Sequence, residues 1–175
     1  MTKRERQVKI LSFSFFMNDF IETFDFQFRM IHRRSAELIE NVPPARLYWQ
    51  PREKKALFPV NSCGEYILRS AAAVEQTCGG IMTRLWDDPF EWTLPEQLST
   101  NVLIREYLAE VEETRRKGFA FLKSDEDLRR AIPAPVQLQS IFRILLETLA
   151  RAEHFQGRAF AVFRMFSDEK LESIV

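Results

Sequence analysis

The chain has 175 residues, 46% of them hydrophobic, and its 25 Lys and Arg balance 25 Asp and Glu to a formal net charge of zero. That length suits one domain with a single core, and the charge balance supplies no field to gather nucleic acid or an anionic membrane surface, so neither is an expected partner. No apolar run reaches the roughly eighteen residues of a membrane span, and the charged start has no secretory core behind it, which predicts a cytoplasmic protein whose two cysteines, Cys63 and Cys78, are reduced and buried.

Residues 1–16 are read as an N-terminal extension, in which Val8, Ile10, Phe13, Phe15 and Phe16 alternate partly, as in a short helix or an arm packed on the domain. From Met17 to Val42 the positions Met17, Phe20, Phe24, Phe28, Ile31, Ser35, Leu38 and Val42 stay on one side of a 3.6-residue helix. Pro43 and Pro44 stop it, because proline cannot continue the hydrogen-bond ladder. A second helix is predicted to start at Ser62, where Ser62 and Glu65 form a capping box. Its stripe is Cys63, Ile67, Ser70, Val74, Cys78, Ile81 and Leu85, and Gly79 with Gly80 either weaken its last turns or admit another helix. A third runs from Ser99 or Thr100 to about Leu122 on Ile104, Tyr107, Leu108, Val111, Gly118 and Leu122, with Arg115, Arg116 and Lys117 suited to the dipole at its end. The fourth, from about Val136 to Phe166, uses Leu138, Ile141, Leu145, Leu149, Ala152, Gln156, Ala159 and Phe163. Residues 167–175 form a tail.

Four helices, each with one apolar stripe, predict an all-α four-helix bundle over residues 17–166. The connections are long and carry Tyr48, Trp49, Phe58, Trp86, Phe90 and Trp92, rings expected to fold back over the bundle rather than to stack on a ligand. Gln156 falls within the apolar stripe, where its amide needs partners; a hydrogen bond across the core is the first reading and ligand contact the second. Nucleophilic catalysis finds no support, since the cysteines lie on a buried stripe without a histidine and no G-x-S-x-G elbow or phosphate loop occurs.

Two segments carry a resemblance. Ser62-Cys63-Gly64-Glu65-Tyr66-Ile67-Leu68-Arg69, after a loop with Trp49 and Pro51, resembles the capped S-x-G-E-L-L-x-H start of the second helix in the DinB/YfiT-like family. Arg151-Ala152-Glu153-His154-Phe155-Gln156-Gly157 is similar to that family's H-E-x-H-H-x-G-Q, with Glu153 offset by one from the family's acidic position. Helix order and loop lengths extend the likeness from Met17 to Phe166. The resemblance implies a divalent metal held by one histidine of helix two and an H-x-x-x-H pair of helix four, at positions that here are Arg69, Arg151 and Phe155. Arginine stays protonated without a lone pair and phenylalanine has no donor atom, so no metal and no cofactor are expected there. His154 matches the motif histidine that is not a ligand and reads as solvated; His32, with Arg29 where a di-iron bundle would place glutamate, reads as a boundary residue.

What stands at the old metal position has two readings. Glu65 precedes Arg69 by four and Glu147 precedes Arg151 by four, so the plainer one is two surface ion pairs. The sharper one has Arg69 and Arg151, with Phe155, converge to hold a small anion by paired N–H bonds. The function expected is accordingly a DinB-like bundle that binds a small anionic ligand or a protein partner without catalysis, and no catalytic residue is assigned. The alternatives are a metal-dependent transferase or hydrolase of this family with an unorthodox ligand set, and a structural homo-oligomer. Phe15, Phe16 and Phe26, which the first stripe leaves over, suggest a homodimer surface.

Overall fold

The computed structural model describes residues 19–51, 60–89 and 93–171. The expectations for residues 1–16, Met17, Phe58, Phe90, Trp92 and the last four residues of the tail lie outside them. Four helices dominate: α1 Asp19–Asn41, α2 Cys63–Thr83, α3 Asn101–Phe121 and α4 Ile141–Phe163. Short 3-10 turns follow α1 at Pro44–Arg46 and α3 at Asp125–Arg129, and a hairpin of β1 Ala131–Pro133 with β2 Leu138–Ser140 precedes α4. The protein is an all-α four-helix bundle, and no helix of the described residues is long and apolar enough to cross a membrane.

Side-chain contacts fix the directions of the helices. Ser70 Oγ donates to the Ala152 carbonyl at 2.9 Å and Thr77 meets Thr148 hydroxyl to hydroxyl at 2.7 Å, so α2 and α4 run antiparallel. Phe142 packs edge-on against Phe20 and Phe24 near the starts of α4 and α1, and Gln156 donates to the Ile31 carbonyl further along, so these two run parallel. Asn101 reaches the Ile39 and Val42 carbonyls while Arg115 reaches Asp25, so α1 and α3 are antiparallel. It follows that α2 and α3 are parallel, and the order around the bundle is α1, α3, α2, α4. The segment 84–100 must therefore travel the length of the bundle, about 30 Å for a helix of 21 residues.

The helix starts are chemically specified. Ser62 accepts from the Glu65 backbone N–H at 3.2 Å and Glu65 accepts from that of Ser62 at 2.7 Å, the capping box the sequence predicts. Thr100 and Ser140 cap α3 and α4 by the one-way bond, accepting from the Leu103 and Arg143 backbone N–H groups. The fourth helix starts five residues later than its apolar phase suggests, because Ser140 takes the cap and Leu138 belongs to β2; Val136 and Leu138 are exposed.

The core follows the stripes with some exceptions. On α1, Ile21 is buried and Phe20 is 59% exposed, so the first turn is rotated by one position from the reading. Leu85 lies beyond α2 and is exposed, and Leu149 is half-buried at the edge of the core. Gly118 meets α2: a Cβ there would stand 2.9 Å from the Cys78 Cβ, so its missing side chain permits the parallel α2–α3 contact. Gly80 faces the Trp86 indole instead of a helix. Arg115 is the main departure. It is 5% exposed, makes two 2.7 Å bonds to Glu112 and also bonds Asp25 of α1, so it is a buried cation between two acids and not a terminal charge serving the dipole. Tyr48, Trp49 and Trp86 are partly buried against the core, as loop rings folding back require.

Candidate functional site: a groove between α2 and α4

Small residues bring α2 and α4 close. Ser70, Ala71, Ala73, Ala152 and Ala159 are buried on the seam, and its polar atoms are satisfied by the Ser70–Ala152 and Thr77–Thr148 bonds. Beside this seam, Asp88 and residues 93–96 of the crossing segment line the far side. The result is a cavity of about 440 Å³.

Its lining gathers residues separated by more than eighty positions. Arg69 and Glu65 come from α2, Arg151 and Phe155 from α4, and Asp88 and Glu96 from the crossing segment. Leu68, Leu94 and Pro95 add apolar walls. Four of the six residues singled out in the sequence thus share one cavity. The other two do not. Glu147 lines a second cavity, of about 380 Å³, which touches the first at Gln76 and Arg151. Gln156 is buried inside the bundle, donating at 2.7 Å to the Ile31 carbonyl and at 3.0 Å to Ser35 Oγ, which is the cross-core hydrogen bond of the first reading.

The two expected ion pairs fare differently. Glu147 pairs with Arg143 at 2.7 Å, one turn before it, and not with Arg151. Arg151 is exposed at the mouth of the cavity and forms no ion pair among the described residues. Glu65 is a fixed charge: burial raises its pKa, but bonds from the Ser62 backbone, the Ser62 hydroxyl and Gln50, with the nearby Arg69, outweigh that and hold it below the usual glutamate value. Phe155 stands half-buried beside the Tyr66 ring, centroids 6.5 Å apart and nearly parallel. His154 is exposed on the outer face.

At the three positions that the resemblance assigns to metal ligands, two guanidiniums and a phenyl ring offer no lone pair. Among the described residues no three His, Cys, Asp or Glu side chains are grouped to hold an ion. Both thiols are buried and pushed up to about 12, so neither is a thiolate at neutral pH. The cavity brings two guanidinium groups, three carboxylates and the Phe155 ring together.

Sequence reasoning missed the other wall of the groove. Asp88 and Glu96 reach it through the crossing segment, whose path depends on the parallel placement of α2 and α3, and Trp86 of the same segment lines the second cavity. One signal was available: Gly80 six residues before Trp86 is the space into which the indole fits. Comparison with protein-family models, with curated proteins and with solved structures gave no match.

Proposed function

We propose that the chain is a DinB-like bundle which has given up the family's metal site and binds a small anionic ligand, without catalysis, in the groove between α2 and α4. The observation that carries this reading is the meeting of Arg69, Arg151 and Phe155 in one cavity of about 440 Å³. These three positions align with metal ligands by motif alone, and positions that once held one ion must converge. Their convergence supports the family reading, and their chemistry supports an anion. Paired guanidinium N–H groups suit a carboxylate or phosphate, each charged hydrogen bond being worth roughly 1.5–3 kcal/mol. Glu65, Asp88 and Glu96 more than offset the two guanidiniums when the cavity is empty, which favours a singly charged ligand held by directed hydrogen bonds over a polyanion.

The test is calorimetric titration of benzoate and of inorganic phosphate into the protein and into the Arg69→Ala/Arg151→Ala double variant. Both side chains lie at the groove surface, so the variant should keep its helical circular dichroism while losing at least about tenfold in affinity. Unchanged affinity, or no binding of either anion to the unaltered protein, overturns the reading.

Homodimerisation belongs to the same proposal. Phe20, Phe26 and Phe142 remain 59%, 50% and 38% exposed, more aromatic surface than a bundle of this size leaves to water without use. A second copy related by a two-fold axis would cover it.

A further inference from the structure

Resting on the anion reading, we propose that the ligand is an amphiphilic carboxylate, with its charged head at Arg151 and an aliphatic tail in the second cavity. The two cavities meet at Arg151 and Gln76, so a group gripped by Arg151 has open space on both sides. Their linings differ. The first holds Arg69, Glu65, Asp88 and Glu96; the second is walled by Trp86, Ala134, Pro135, Val136 and Ile144.

The apolar cavity is built rather than incidental. The Trp86 indole lies on Gly80, where any Cβ would collide with it, and its Nε1 donates to the Pro133 carbonyl at 2.9 Å. That bond ties the end of α2 to the hairpin, so the hairpin becomes a wall. Gln76 Nε2 donates to the Trp86 carbonyl at 3.4 Å, which fixes the same segment from the groove side. Several polar groups of this cavity already have partners: Thr77 and Thr148 bond each other at 2.7 Å, and Glu147 is held by Arg143, while Gln139 gives the cavity a polar edge. A second carboxylate would meet Glu147 there, whereas a methylene chain would find Trp86, Ile144 and the hairpin. Val136, 91% exposed at the hairpin tip, is placed to cover such a chain. A compact polyanion would use only the first cavity and leave this wall unexplained.

The experiment titrates butanoate, hexanoate, octanoate, decanoate, octanol and inorganic phosphate, read by calorimetry and by tryptophan fluorescence. Affinity should rise up to about fourfold for each methylene added until the cavity is full, as burial of a methylene group predicts. Octanol should bind at least tenfold more weakly than octanoate. Val136→Asn, an uncharged change at a site too exposed to endanger folding, should weaken octanoate several-fold and affect butanoate and phosphate much less; Arg151→Ala should weaken every anion. If all the carboxylates and phosphate bind alike with dependence on Arg151, the amphiphile is wrong and the anion site stands. If no carboxylate binds but phosphate does, with dependence on Arg151, the amphiphile falls and the anion site stands; if octanol binds as tightly as octanoate and Arg151→Ala changes nothing, or if neither carboxylate nor phosphate binds, both fall.

Discussion

His32 lies half-buried on α1 in the field of α3, and its environment sets the direction of one pH response. Burial lowers its pKa from the usual 6.5, Glu112 opposes the shift and Arg115 adds to it. Between the folded value and about 6.5 the unfolded chain binds more protons at this residue than the native protein does. The stability that neutral His32 contributes is therefore complete above about pH 6.5 and is lost as the pH falls toward the lower folded value. Urea midpoints measured at pH 7.5 and 5.5 should drop on acidification, and His32→Gln should remove part of that drop; an identical drop in the variant would assign it to other groups. Single residues were legible where phase alone decides. Gln156 sits in phase with Ala152 and Ala159, and its partners are the core groups a buried amide needs. Arg115 is also in phase, between Val111 and Gly118, yet its place in the Arg115-Arg116-Lys117 run drew it to the helix end. Pattern shows which face a residue takes, whereas the acids that make a buried arginine tolerable come from another helix.

Every helix has its stripe, and α2, α3 and α4 each start at a side-chain cap; both signals are local enough to read directly. Ser62 and Thr100 mark their starts in the sequence as in the structure. The hairpin before α4 was not legible: three-residue strands are too short to display alternation, and Leu138 keeps phase with Ile141 and Leu145 by coincidence. Glycines within the helices divide by what they face. A methyl group added at Gly79 would meet nothing within 4 Å, while Gly118 abuts Cys78. Gly79→Ala should raise stability by about 0.5–1 kcal/mol through helix propensity. Gly118→Ala should lower it, because overpacking at a tight contact costs about 1–3 kcal/mol. Chemical denaturation of both variants checks the pair, and equal effects would contradict the close α2–α3 approach.

At the scale of the molecule, the half of the groove that depends on helix positions was readable and the half that depends on the path of the chain was not. Spacing within two motifs placed Arg69, Arg151 and Phe155 at one site. The crossing segment, which supplies Asp88, Glu96 and Trp86, and the hairpin, which supplies Pro135 and Val136, belong to non-local geometry for which no short pattern exists. Assembly is decided at this scale too. Sedimentation equilibrium should find two copies per particle, and Phe26→Lys should shift the protein toward single copies; a single copy at every concentration would remove the dimer. The helix order has a further consequence, in time rather than in space. The most extensive interface joins α2 to α4, whose bonded residues Ser70 and Ala152 stand 82 positions apart. A chain wound this way must close a long loop before its best contacts form, whereas an up-and-down bundle gains contacts between neighbouring helices at each step. Its folding is thus slower than helical content alone suggests. Until α4 docks, the apolar face of α2 waits uncovered, and that interval is when two nascent chains are most prone to stick to each other.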